Sequence, residues 1–136
     1  MGNNQVKKIN FEDLNYSQND AVVISTLPSH KQECLIYKTV PYYDEENIIN
    51  QLVKNNNMSK IIIVYGENAN DISIYNKYKQ LISLGFCNVY LYCGGLFEWL
   101  LLQDIYGKEN FKTTSEELDI LKFKPAKVFG TVSLLN

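Results

Sequence analysis

Residues 59–71, SKIIIVYGENAND, hold the key to the architecture. Ile61, Ile62, Ile63 and Val64 are four consecutive β-branched residues, followed by the aromatic Tyr65. Side chains branched at Cβ crowd a helical turn but sit well on a pleated strand. A run that is apolar at every position marks a central parallel strand covered on both faces. The polar loop Gly66-Glu67-Asn68-Ala69-Asn70-Asp71 follows at once, and a helical pattern begins directly behind it. In open α/β sheets, ligands and chemistry gather at the carboxyl ends of such strands.

On the N-terminal side, residues 21–26 (AVVIST) read as a second buried strand, stopped by Leu27-Pro28. Thr39-Val40-Pro41 is a short third strand, reached by an irregular connection with Cys34-Leu35-Ile36 turned inward. Residues 9–14 predict a short strand running into a one-turn helix, behind a flexible polar arm at residues 1–8. A helix over residues 43–55 starts with Asp44-Glu45-Glu46 at its positive dipole end and carries the apolar stripe Ile48, Ile49, Leu52, Val53.

Beyond the loop, Ile74, Tyr75, Tyr78, Leu81 and Ile82 define an amphipathic helix over residues 71–84, closed by Gly85. Residues 88–93 predict a fifth strand, and Gly94-Gly95 turns the chain. The next helix, residues 96–106 (LFEWLLLQDIY), has apolar side chains all round its axis, so it needs cover on more than one side. The tail is expected to supply that cover, with residues 111–135 folded back over it; the rival is a surface left open for a partner or second subunit. Thr114-Ser115-Glu116-Glu117 predicts a capping box opening a short helix, with Leu118, Leu121 and Phe123 on its apolar side. Strands alternating with helices over short links make the fold class α/β, in one domain of 136 residues.

Composition narrows the function. A net charge of −2 and a pI near 5.4 argue against a protein that grips the phosphate backbone, so no nucleic-acid partner is expected. No apolar run is long enough to span a bilayer, and the start MGNNQVKKIN lacks the apolar core of a signal peptide. The three cysteines, Cys34, Cys87 and Cys93, are an odd number and suit free thiols in a reducing compartment. The expected location is the cytoplasm.

Residues 88–99, NVYLYCGGLFEW, resemble a signature of rhodanese-like domains: a strand, the pair Gly94-Gly95, then Trp99 four residues after the second glycine. IIIVYG with its six-residue loop and following helix resembles that family's active-site strand and loop, and the earlier strands fit the same order. The resemblance covers residues 9–110, and the segment 111–136 is a C-terminal extension expected to pack on the domain. It implies a mostly parallel five-stranded sheet flanked by helices in three layers, with a sulfur-transfer site in the loop. In active members a cysteine opens that loop and carries a persulfide, and an arginine or similar residue closes it. Here Gly66 stands at the opening position and Asp71 at the closing one.

Sulfur transfer needs a thiolate nucleophile and a setting that stabilises an anionic persulfide. Gly66 has no side chain to attack with, and Glu67 and Asp71 place two carboxylates where an anion would enter. Gly66, Glu67, Asn68, Ala69, Asn70 and Asp71 therefore read as a degenerate active-site loop, with no catalytic residue expected and Cys93 as the one displaced nucleophile worth weighing. A strand cysteine is far more often a small buried hydrophobe. His30 and Cys34 at i, i+4 are too few for a metal site, and the loop oxygens lack the spacing of a calcium loop, so no metal or other cofactor is expected. Three functions follow as expectations: an inactive rhodanese-like module that binds a protein or self-associates, a thiol enzyme led by Cys93, or a subunit of a large assembly such as a virion.

Overall fold

Five strands, β1 (Lys7–Ile9), β2 (Val22–Ser25), β3 (Thr39–Val40), β4 (Ile62–Tyr65) and β5 (Val89–Tyr92), form one sheet in the computed structural model, which describes residues 5–130. All neighbouring strands run parallel, in the order β1-β5-β4-β2-β3, so the isoleucine-rich run is the central strand. Side chains alternate across a strand, and β4 divides accordingly. Ile63 and Tyr65 enter one core cluster with Leu14, Leu96, Trp99, Phe111 and Phe123. Ile62 and Val64 enter a second cluster with Ile49, Ile74, Leu81 and Phe86. Each buried aliphatic side chain contributes roughly 1.5–3 kcal/mol, which is why the run tolerates no polar position.

Four helices supply the two outer layers: α1 (Phe11–Ser17) and α4 (Gly95–Tyr106) over the first cluster, α2 (Tyr42–Lys54) and α3 (Ser73–Ser83) over the second. The α3 helix ends as its sequence predicts, with Gly85 at a φ of +109° that other residues rarely adopt. The α/β class and three-layer arrangement agree with the sequence reading.

Three local expectations need correction. The first strand starts at Lys7, inside the segment expected to be a flexible arm. It is an edge strand held by backbone pairing of Lys7 with Tyr90 through Ile9 with Tyr92, and its exposed lysines show no apolar alternation to betray it. The helix that follows runs on to Ser17, longer than one turn, and its start is capped reciprocally by Asn10 and Asp13: the Asp13 amide donates to Asn10 Oδ1 at 3.0 Å, and the Asn10 amide to Asp13 Oδ2 at 3.2 Å.

The third correction is the tail. Thr114-Ser115-Glu116-Glu117 opens no helix; the chain bends at Thr114 and Ser115, stays irregular and reaches only a short 3₁₀ turn at Ile120–Phe123. The hydroxyls expected to cap a helix are engaged across the fold instead. Thr114 Oγ1 accepts the Leu35 amide at 3.0 Å, the Thr114 amide donates to the Leu35 carbonyl at 2.8 Å, and Ser115 Oγ donates to the Glu33 carbonyl at 2.8 Å. Leu118 and Leu121 are exposed, whereas Phe123 is buried.

The tail does cover α4. Phe111 and Phe123 join the same core cluster as Trp99 and Leu100, Trp99 Nε1 donates to the Lys112 carbonyl at 2.9 Å, and Gln103 Nε2 donates to the Phe111 carbonyl at 2.7 Å. The cover is partial, since Leu101, Ile105 and Tyr106 stay exposed. Residues 131–135, also expected in this cover, lie outside the described residues.

Candidate functional site

Parallel register brings the carboxyl ends of three strands level: Ser25 pairs with Tyr65, and Tyr65 with Tyr92. The loop 66–71 leaves the middle one and is clamped against the start of α4. The Leu96 amide donates to the Gly66 carbonyl at 3.0 Å and the Phe97 amide to the Glu67 carbonyl at 2.9 Å. Two otherwise unpaired amides of the helix N-terminus are satisfied in this way. The approach is possible only because residue 95 is glycine. Its φ is +71°, and a Cβ there would lie 2.7 Å from the Gly66 carbonyl oxygen and 2.9 Å from the Asn68 nitrogen.

The rest of the glycine–tryptophan element is structural support for the same clamp. Gly94 lies against the Glu98 side chain, which accepts a 2.5 Å hydrogen bond from the Tyr92 hydroxyl. Burial, reinforced by that carboxylate, pushes the Tyr92 phenol far above its ordinary value and keeps it protonated. Trp99 is fully buried and meets Tyr92 and Phe111 edge-on, at centroid distances of 6.1 and 5.1 Å. Under the loop, the buried Tyr65 hydroxyl accepts the Ile36 amide at 3.1 Å and shares a 2.8 Å hydrogen bond with Thr39 Oγ1.

Asp71 is the centre of the loop. Its Oδ2 accepts the Glu67 amide at 2.9 Å, and its Oδ1 accepts the Ser73 amide at 3.0 Å and the Ser73 hydroxyl at 2.6 Å. Burial pushes this carboxyl up, but the hydrogen bonds from Ser73 and the Glu67 amide together outweigh it and leave the carboxyl below its ordinary value. Asn68, which unlike the half-buried Asp71 is buried, accepts the Asn70 amide on Oδ1 at 2.9 Å and donates from Nδ2 to the Phe123 carbonyl at 2.9 Å, tying the loop to the tail. Ala69 and Asn70 are exposed.

The mouth of the loop is less negative than the sequence suggests. Lys31, from the connection after β2, places its Nζ 3.0 Å from Glu67 Oε2 and neutralises that carboxylate. Lys122 and Lys124 of the tail line the same open depression, of about 750 Å³, together with Thr26, Asn68, Asn70 and Asp71. Neither Lys31 nor the tail lysines could be assigned to this place from sequence, because they are separated from the loop by long stretches of chain. Ser73 could have been found: Asp71-Ile72-Ser73 ahead of a helix is a pattern in which an aspartate accepts the amide two residues on.

No cysteine lines the depression. Cys93 is half-buried and packs on the cluster beneath α2 and α3, with Ile74, Phe86 and Leu91. Cys34 is buried, its thiol donating to the Ser115 carbonyl at 3.2 Å and pushed up by burial. Cys87 is exposed, and its thiol donates to the Met58 carbonyl at 3.4 Å. His30 is exposed in the 3₁₀ turn Ser29–Lys31. Among the described residues no group of three or more His, Cys, Asp and Glu is placed to hold a metal ion.

Comparison with known proteins fits this geometry. The model of the rhodanese-like domain family matches residues 11–102, and the chain belongs to that family. Two solved structures from Anabaena sp. are similar to it. The structure of the Alr3790 protein has a TM-score of 0.54 at 20% identity, with 84% of this chain and 86% of that one covered. The structure of its Rhodanese_3 like domain has a TM-score of 0.46 at 21% identity, with 70% of this chain and 99% of that one covered. No curated protein matches the chain.

Proposed function

We propose that the protein is a rhodanese-like domain without sulfur-transfer activity, working as a protein-binding or structural module. One observation carries this reading: at the head of the loop, where the family resemblance places a persulfide-bearing cysteine, Gly66 offers no nucleophile, and none of the three cysteines lines the depression. The loop amide that could steady an anion next to position 66, that of Glu67, is engaged by the carboxylate of Asp71. A binding role is supported by the large apolar side chains left exposed near the end of α4 and on the tail: Ile105, Tyr106, Leu118, Leu121, Val128 and Phe129. The half-buried position of Cys93, outside the depression, argues against a relocated nucleophile. Among the described residues no helix is long and apolar enough to cross a membrane.

The test is transfer of sulfur from thiosulfate to cyanide, followed as thiocyanate, for the intact chain and for Cys93→Ser. The expected result is no thiocyanate above the protein-free rate for either protein. Turnover by the intact chain that vanishes in Cys93→Ser overturns the reading.

A further inference from the structure

A cysteine missing from a loop suggests that restoring it would restore a reactive thiol. The packing around Gly66 argues otherwise. A Cβ built on Gly66 lies 2.5 Å from Asp71 Oδ2, 2.8 Å from Asp71 Cγ and 3.1 Å from Asp71 Cβ. The carboxylate therefore stands in the space that any side chain at position 66 needs. Nor is it free to swing away: the Glu67 amide, the Ser73 amide and the Ser73 hydroxyl hold it, and the same hydroxyl lies 2.7 Å from Thr26 Oγ1. The backbone cannot yield in its place, because Gly66 and Glu67 are clamped to α4 through their carbonyls and Gly95 is already in close contact behind them.

We propose that Asp71 is an intramolecular plug, so that Gly66 and Asp71 form one coupled lock and the loop is closed to thiol chemistry at two positions instead of one. The carboxylate takes both things a thiolate at position 66 would require: the volume beside the Cα and the Glu67 amide as hydrogen-bond donor. It also brings a fixed negative charge into the place where a second negative charge would have to form. Gly66 is what permits Asp71 to sit there, and Asp71 is what forbids anything but glycine at 66.

This inference rests on the reading of the loop as inactive, and its test is separable from that reading. Gly66→Cys, Asp71→Ser and the double variant complete a cycle with the intact chain, read by thermal unfolding and by the pH dependence of alkylation at position 66. Alkylation is followed peptide by peptide, so that Cys34, Cys87 and Cys93 do not contribute. Independent substitutions lower the unfolding midpoint additively, whereas coupled ones do not. The expected result is a double variant more stable than the sum of the single losses predicts. Its thiol is expected to titrate about one unit lower than that of Gly66→Cys alone, as a thiol freed of a neighbouring carboxylate and given an amide donor does.

Additive losses together with equal thiol titrations overturn the proposal. If Gly66→Cys does not fold, Gly66→Ala in the same cycle decides the matter on stability alone; a failure to fold that Asp71→Ser does not relieve also overturns it. Sulfur transfer by the unaltered chain would sink the inactive reading and leave this cycle untouched.

Discussion

At the level of single side chains, the account rests on two glycines with different reasons for being glycine. Gly66 gives way to a neighbouring carboxylate, and Gly95 gives way to backbone. The Asp71 carboxylate can be displaced only by breaking its hydrogen bonds, whereas the backbone beside Gly95 cannot be displaced without breaking the loop-to-helix clamp. Of the two, Gly95 alone has a positive φ, and Gly95→Ala is therefore expected to be the more costly change. An added methyl at a φ of +71° costs about 1–2 kcal/mol in conformation alone, and overpacking adds a similar amount. Urea unfolding of Gly95→Ala is expected to show a loss of at least about 2 kcal/mol. Asp71 makes a prediction in pH. Its carboxyl is held below the ordinary value of 3.8, so its contribution to stability is complete above that value and is lost as the pH falls through the lower folded value. Asp71→Asn is therefore expected to be less stable than the intact chain near neutrality, with the gap narrowing as the pH falls below the ordinary carboxylate value of 3.8 in parallel urea titrations. A gap that is constant with pH would mean that the carboxylate's charge is irrelevant.

At the level of elements, what could be read from sequence follows from how each element is held. The four-residue β4 run, the Ile74 and Leu81 positions of α3 and the Leu96, Trp99 and Leu100 face of α4 are specified by burial, and burial writes itself into the residues. The strand at Lys7–Ile9 is held by backbone pairing at a sheet edge, so its lysines say nothing. The tail misled for a related reason: Thr114 and Ser115 have the chemistry of a helix cap, but the same hydroxyls are matched by the Leu35 amide and the Glu33 carbonyl, far away in sequence. Of the candidate site, the loop and the glycine–tryptophan element were legible, while Lys31, Lys122 and Lys124 were not, because nothing local marks a residue delivered from a distant segment. The tail is expected to be part of the fold and not an appendage. Phe123→Ala removes a buried ring packed with Trp99 and Leu100, and is expected to cost about 3 kcal/mol and to expose residues 111–130 to protease well before the sheet is cut. Equal protection of the tail in the variant and the intact chain would contradict that.

For the whole molecule, the architecture is a parallel sheet with a loop at the carboxyl end of its central strand, where we propose that a carboxylate takes the place of the family's chemistry; tail residues line the open depression beside that loop. A fold does not by itself confer an activity; the residues at its site do. The measurement that bears most directly on this account is the intact mass of the protein after incubation with thiosulfate, before and after treatment with cyanide. The account predicts no cyanide-labile increment of one sulfur atom on the chain. A cyanide-labile sulfur that maps to Cys93, or to any other cysteine of the folded protein, would contradict it.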